Sequence, residues 1–170
     1  MTIRGGCRCG AVRYEVDGSL RNARCCHCAE CRKAFSGASS AYAEVDAGQF
    51  TWTAGEGYLT QYVSAQGWGL GFCGTCGSTL CGLYDGKVHG VTLGSVDGDP
   101  GVQITMHIFV GSKAPWHEIG GHAPQYAERP LEPGTLGSST AQPDAEDGAP
   151  VGGIARYPLS QPGRHPGHKN

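Results

Sequence analysis

"GFCGTCGSTL", residues 71–80, sets Cys73 and Cys76 three positions apart and places Gly77 directly behind them. A C-x-x-C pair aims two sulfurs at one point around a tight knuckle. The glycine that follows permits a turn bringing backbone N–H groups towards the sulfurs. A second element of the same kind stands at the start of the chain, "GGCRCG" at residues 5–10, with Cys7, Cys9 and Gly10. In an extended segment the side chains at i and i+2 share a face, so C-x-C also converges. Two converging pairs far apart in sequence supply the four sulfurs of a tetrahedral, closed zinc site of structural type. Such a site would clamp the N-terminal strand to the middle of the chain.

Between these elements lies "ARCCHCAECRKAF", residues 23–35, with four cysteines inside seven positions. Cys26, Cys28 and Cys31 form C-x-C-x-x-C. An extended first pair followed by a helical turn after Cys28 swings the third sulfur round to meet the other two. A structural zinc takes a fourth protein ligand, whereas a catalytic zinc leaves that position for water or substrate. Three thiolates make an electron-rich centre, better suited to holding an incoming thiolate than to activating water. Cys25 and Cys81 remain. Alternation points Cys25, and His27 with it, away from Cys26 and Cys28. Cys81 falls in an apolar strand candidate, where a free cysteine behaves as a small hydrophobe. Either one, folded in as a fourth ligand, would close the second site.

The bulk composition narrows the classes. A chain of 170 residues fits one domain with a real core. The net charge of -2 and a pI near 6.4 give no basic stripe for nucleic acid or an anionic membrane. No apolar run approaches a bilayer span. The start, "MTIRGGCRCG", lacks the apolar core of a secretory signal, so a cytoplasmic protein is expected. Nine cysteines in a reducing compartment point to metal rather than disulfides.

Periodicity indicates a mainly β fold with little helix. "AVRYEV" alternates, placing Val12, Tyr14 and Val16 on one face and Arg13 and Glu15 on the other. Further strand candidates are "SAYAEV", "FTWT", "YLTQYV", "TLCGLY", "KVHGVTL" and "ITMHIFV", separated by glycine-rich turns. The one helix candidate begins after Cys28. Trp116 and Phe109 are expected to fill the core. From residue 131 the composition turns to Pro, Gly, Ser and acidic residues, so 1–130 is expected to be the domain and 131–170 a disordered tail, with "IARYPL" able to dock locally.

With these elements in view, "GGCRCGAVRYEV", "CHCAECRKAFSG", "GFCGTCGSTL" and "HIFVGSKAPWHEI", in that order, resemble the glutathione-dependent formaldehyde-activating enzyme family, which also contains centromere protein V. The resemblance runs over about residues 4–130 and implies a β-tent fold of short antiparallel sheets tied by a structural zinc. It implies two zinc ions: a structural one on Cys7, Cys9, Cys73 and Cys76, and a catalytic one on Cys26, Cys28 and Cys31. The implied activity is that of a carbon–sulfur lyase, reversibly adding glutathione to formaldehyde, with a small-molecule thiol and an aldehyde as partners. The rivals are a related zinc lyase acting on another thiol adduct, a non-catalytic zinc-stabilised binding module, and redox sensing at Cys25–Cys26. Arg32, Lys33 and Lys113 are the candidate cations for a carboxylate-bearing thiol. His107 and Tyr84 are the candidate proton donors. Twenty-nine glycines point to a GC-rich bacterial source, in which another small thiol could replace glutathione. The sequence does not indicate an oligomeric state.

Overall fold

The computed structural model describes residues 1–130 and 152–155. Apart from Gly152–Ala155, the expected disordered tail lies outside the described residues. In chain order the first strands are β1 (Thr2–Gly6), β2 (Arg13–Asp17) and β3 (Arg21–Cys26), followed by helix α1 (Ala29–Phe35). Next come β4 (Ser40–Glu44), β5 (Phe50–Ala54), β6 (Leu59–Ser64) and β7 (Trp68–Cys73). β8 (Thr79–Tyr84), β9 (Lys87–Thr92), β10 (Met106–Ile108) and β11 (Gly152–Ala155) complete the set. Short 3-10 turns, Leu93–Ser95 among them, fill several connections. Among the described residues no helix is long and apolar enough to cross a membrane.

The protein is mainly β, in two open sheets. The smaller has the order β1-β2-β5 and the larger β10-β3-β4-β9-β8-β7-β6-β11. Every pairing between these strands is antiparallel except β10 on β3, where Met106, His107 and Ile108 run parallel to Arg24, Cys25 and Cys26. That departs from an all-antiparallel expectation, because β10 arrives after a long excursion rather than through a hairpin. Gly152–Ala155 adds an antiparallel strand to the free side of β6; of "IARYPL", residues 154–159, only Ile154 and Ala155 belong to it, and the rest lies outside the described residues.

The alternation of β2 builds the core. Val12, Tyr14 and Val16 are all fully buried, while Arg13 and Glu15 face outwards. Tyr14 and Val16 pack with Ile3 against Ala23, Ala43 and Val91 of the large sheet, and Phe50 and Trp52 close the side. A second apolar cluster, Val12, Leu59 and Leu80 with Cys7 and Cys73, lies under the first pair of cysteine elements.

Tyr14 reaches across β1 to hydrogen-bond Ser95 Oγ at 2.8 Å. It can do so because its neighbour in β1 is Gly5: a Cβ there would sit 2.3 Å from the Tyr14 ring and 2.5 Å from the Ser95 carbonyl oxygen. Gly5→Ala is therefore expected to destabilise the fold by about 1–3 kcal/mol through overpacking, read as a lowered midpoint in urea at unchanged slope.

The pairing also decides where the cysteines gather. β1, β3, β7 and β9 end, and β2, β4 and β8 begin, at the same end of the sheets. Cys26 stands opposite Ser40, Tyr42 opposite Thr92, and Phe72 opposite Thr79. Both cysteine regions thus belong to one end of the molecule. β3 and β7 are four strands apart there, which corresponds to about 19 Å along the edge.

Candidate metal centres

The first centre is assembled from the ends of β1 and β7. After Gly6 the chain turns at once: the Cys7 N–H donates to the Val12 carbonyl at 3.0 Å, and the Gly10 N–H to the Cys7 carbonyl at 3.0 Å. Gly10 and Gly77 both hold left-handed φ, at +77° and +75°, the conformation their knuckles require. The Val12 N–H points at Cys7 Sγ at 3.2 Å. The sulfurs of Cys7, Cys9, Cys73 and Cys76 all lie within 4.8 Å of one another. Cys7 and Cys9 are 3.4 Å apart, Cys9 and Cys73 3.8 Å. These separations are far too long for a disulfide. They approach the about 3.8 Å that tetrahedral geometry gives between sulfurs each about 2.3 Å from a zinc ion. Burial pushes the Cys73 thiol up to about 12, whereas Cys76, although burial opposes it, is brought down to about 6 by hydrogen bonds from Ser78 and the backbone. A donor set of four sulfurs in this arrangement fits a dication with no position to spare.

The second centre lies at the junction of β3 and α1. Cys26 is the last residue of β3. Cys28, at φ −63° and ψ 159°, is the N-cap of α1, and its sulfur accepts the Cys31 N–H at 3.4 Å. The helix turn brings Cys31 back over the other two, so the sulfurs of Cys26, Cys28 and Cys31 also lie within 4.8 Å of one another. All three residues are half-buried, so the group is open to approach. Among the described residues no fourth Cys, His, Asp or Glu joins them.

Three thiols this close cannot all ionise unaided. Cys28 takes the charge, drawn down to about 2 by hydrogen bonds from the Cys26 and Cys31 thiols. Cys26 is held protonated by those same neighbours and by burial. A dication would relieve that conflict, which is the structural sign that the trio fits a metal. Ser40, opposite Cys26 and buried, sets its hydroxyl against the Cys31 thiol. Nothing in its sequence context marks this serine; it is found only through the β3–β4 register.

Cys25 and Cys81 stay out of both centres. Cys25 faces the other side of β3, where burial raises its pKa and Ser39 is its hydrogen-bond partner. Cys81 is fully buried in β8, and burial pushes its thiol up to about 12.

The other candidates are placed as follows. Arg32 donates from Nε to the His27 carbonyl and from Nη2 to the Ser112 carbonyl, both at 3.3 Å, so its guanidinium ties loops together. Lys33 is exposed on α1. Lys113 Nζ donates to the His117 carbonyl at 3.1 Å. His107 meets His27, with ring nitrogens 2.9 Å apart and His27 fully buried, on the Cys25 face of β3 rather than with the sulfur trio. The ring of His117 stacks on His27, completing a histidine cluster that no spacing announced. Tyr84 packs in a tilted contact against Trp68 at the far end of β8, about 17 Å along the strand from Thr79. The core role expected of Trp116 is corrected: the residue is 70% exposed. The chain turns at Pro115–Trp116, with the His117 N–H on the Ala114 carbonyl, and Ala114 takes the buried position instead.

A cavity of about 810 Å³ opens at the same end of the molecule. It lies between the two centres, walled by Ala41 of β4, Thr92 of β9 and Thr79 of β8, with Ala34 and Phe35 of α1 on one side.

No curated protein matches the chain. The crystal structure of a Rhodobacter sphaeroides protein is similar at 24% identity with a TM-score of 0.47, covering 72% of this chain and 98% of that one. Residues 2–112 match the family model described as glutathione-dependent formaldehyde-activating enzyme. With that match spanning both cysteine centres and most of the strands, the chain belongs to the glutathione-dependent formaldehyde-activating enzyme family.

Proposed function

We propose that the protein is a zinc-dependent carbon–sulfur lyase that reversibly adds a small thiol, glutathione or an equivalent, to formaldehyde. The observation that carries this is the half-buried trio Cys26, Cys28 and Cys31, a three-sulfur set that no fourth described residue completes. Two zinc ions are assigned, one closed within Cys7, Cys9, Cys73 and Cys76, the other held by the trio. A zinc ion on the trio would supply an open position for a substrate sulfur and stabilise it as thiolate at neutral pH.

The residues of the chain account for the rest. β3 and the N-terminus of α1 hold three sulfurs in one place before any substrate arrives, so no ordering is left to be done at the moment of reaction. The Cys28 cap and the Ser40 hydroxyl fix two of them. Arg32, bonded to the carbonyls of His27 and Ser112, anchors the start of α1 to the segment after β10. Attack of the substrate sulfur on the aldehyde carbon forms one C–S bond and turns the carbonyl oxygen into an alkoxide. Solvent at the open mouth returns the proton released by the thiol. The uncatalysed addition is already easy, so the acceleration comes from positioning and from thiolate supply.

Exchange NMR on glutathione mixed with ¹³C-formaldehyde tests this. Zinc-loaded protein is expected to speed exchange into the S-hydroxymethyl adduct. No acceleration by protein shown to carry both zinc ions would exclude this reaction and favour the binding-module alternative.

A further inference from the structure

We propose, on the basis of assigning the sulfur trio to the substrate thiol, that the cavity between the two centres seats the zwitterionic amino-acid end of that thiol, with Arg13 and Asp97 as its recognition pair.

The dimensions agree. Cys31, Ala34 and Phe35 stand at i, i+3 and i+4 of α1 and therefore share a helix face, so the cavity begins one helix turn from the trio. Its other walls belong to β4, β9 and β8, one to three strands from Cys26, or about 5–14 Å. A three-residue thiol peptide spans at most about 10–11 Å extended. With its sulfur at the trio, either end of the peptide lies within about that span, which reaches into this cavity.

The charges agree as well. Arg8, Arg13 and Asp97 are among the residues that line the cavity. The Arg13 guanidinium and the Asp97 carboxylate already pair with each other through Nη2 and Oδ2. Arg13 has further N–H donors in a planar fork that can take a second carboxylate. An α-amino acid end carries a carboxylate and an ammonium on one carbon, the complement of an arginine beside an aspartate. Arg8 is exposed and available for the second carboxylate of a tripeptide such as glutathione. By contrast, the guanidinium of Arg32 and the ammonium of Lys113 are engaged with backbone carbonyls, and Lys33 does not line the cavity. The cations that matter for binding therefore come from β2 and the first knuckle rather than from the neighbourhood of Cys31.

The test uses S-methylglutathione, whose blocked sulfur cannot engage the trio, titrated into the zinc-loaded full chain by calorimetry. Arg13→Gln and Asp97→Asn are each expected to weaken its binding at least about tenfold, the usual cost of losing a charged hydrogen bond. Both side chains are partly exposed, at 37% and 52%, so neither substitution threatens folding. Arg4→Gln removes the comparable Arg4–Glu15 pair of the same sheet, neither residue of which lines the cavity, and should change nothing. S-methylcysteinylglycine, which lacks the γ-glutamyl end, should bind wild type and Arg13→Gln alike. Equal affinity of wild type and Arg13→Gln for S-methylglutathione would overturn the subsite, as would no binding by wild type at millimolar ligand. Accelerated formaldehyde exchange with such an insensitive Arg13 would overturn the subsite alone. Binding sensitive to Arg13 without accelerated exchange would support the subsite and overturn only the reaction.

Discussion

Cys28→Ser in zinc-loaded protein is expected to reduce formaldehyde–glutathione exchange by at least about 100-fold while leaving the fold intact. Loss of a partner that merely orients a metal ligand costs 10- to 100-fold, and loss of the ligand itself should cost no less. The fold survives because of what Cys28 does locally. It caps α1 by accepting the Cys31 N–H, and serine is among the best N-caps. The substitution therefore keeps the cap and removes the soft donor. The exchange assay read beside a thermal melt checks both halves. Full activity in the variant would show that the trio does not carry the reaction; an unfolded variant would show that Cys28 is structural.

Cys9→Ser is expected to have the opposite signature, a chain that no longer folds stably. Cys9 is the link that brings the first knuckle to Cys73, holding β1 to β7 across the second apolar cluster. Structural zinc contributes roughly 10–16 kcal/mol in small domains, against a typical net stability of roughly 5–15 kcal/mol. Removing one of four sulfurs should therefore lower the melting temperature by tens of degrees or abolish the transition, and a strong chelator should do the same to wild type. Circular dichroism on metal-loaded and chelated protein reads this directly. A Cys9→Ser variant that melts with wild type would mean that the four sulfurs hold no metal that matters to the fold.

The strands were legible where alternation is strong. β2 follows its period-2 pattern, and β8 occupies the residues of "TLCGLY". β7 was not legible, because Gly69 and Gly71 erase the pattern in "WGLGFC". The structure shows why they stand there: a Cβ on Gly69 would lie 2.2 Å from the Tyr62 carbonyl oxygen, and one on Gly71 2.6 Å from Cys81 Sγ. β1, with two glycines of its own, was hidden in the same way. The sulfur groupings could be read because C-x-C and C-x-x-C are local geometry, and the outward turn of Cys25 follows from alternation alone. Ser40, the His27–His107 contact and the Arg13–Asp97 pair could not be read. Each depends on which strands become neighbours, and separations such as the 84 positions between Arg13 and Asp97 leave no periodic trace.

The central claim, one closed four-sulfur zinc beside one open three-sulfur zinc, is tested most directly by metal counting combined with zinc-edge X-ray absorption on the purified chain without added thiol. Two zinc ions per chain with a mean sulfur coordination of about 3.5 are predicted, the average of a full and an open site. One zinc per chain, or two with a mean of four sulfurs, would contradict it.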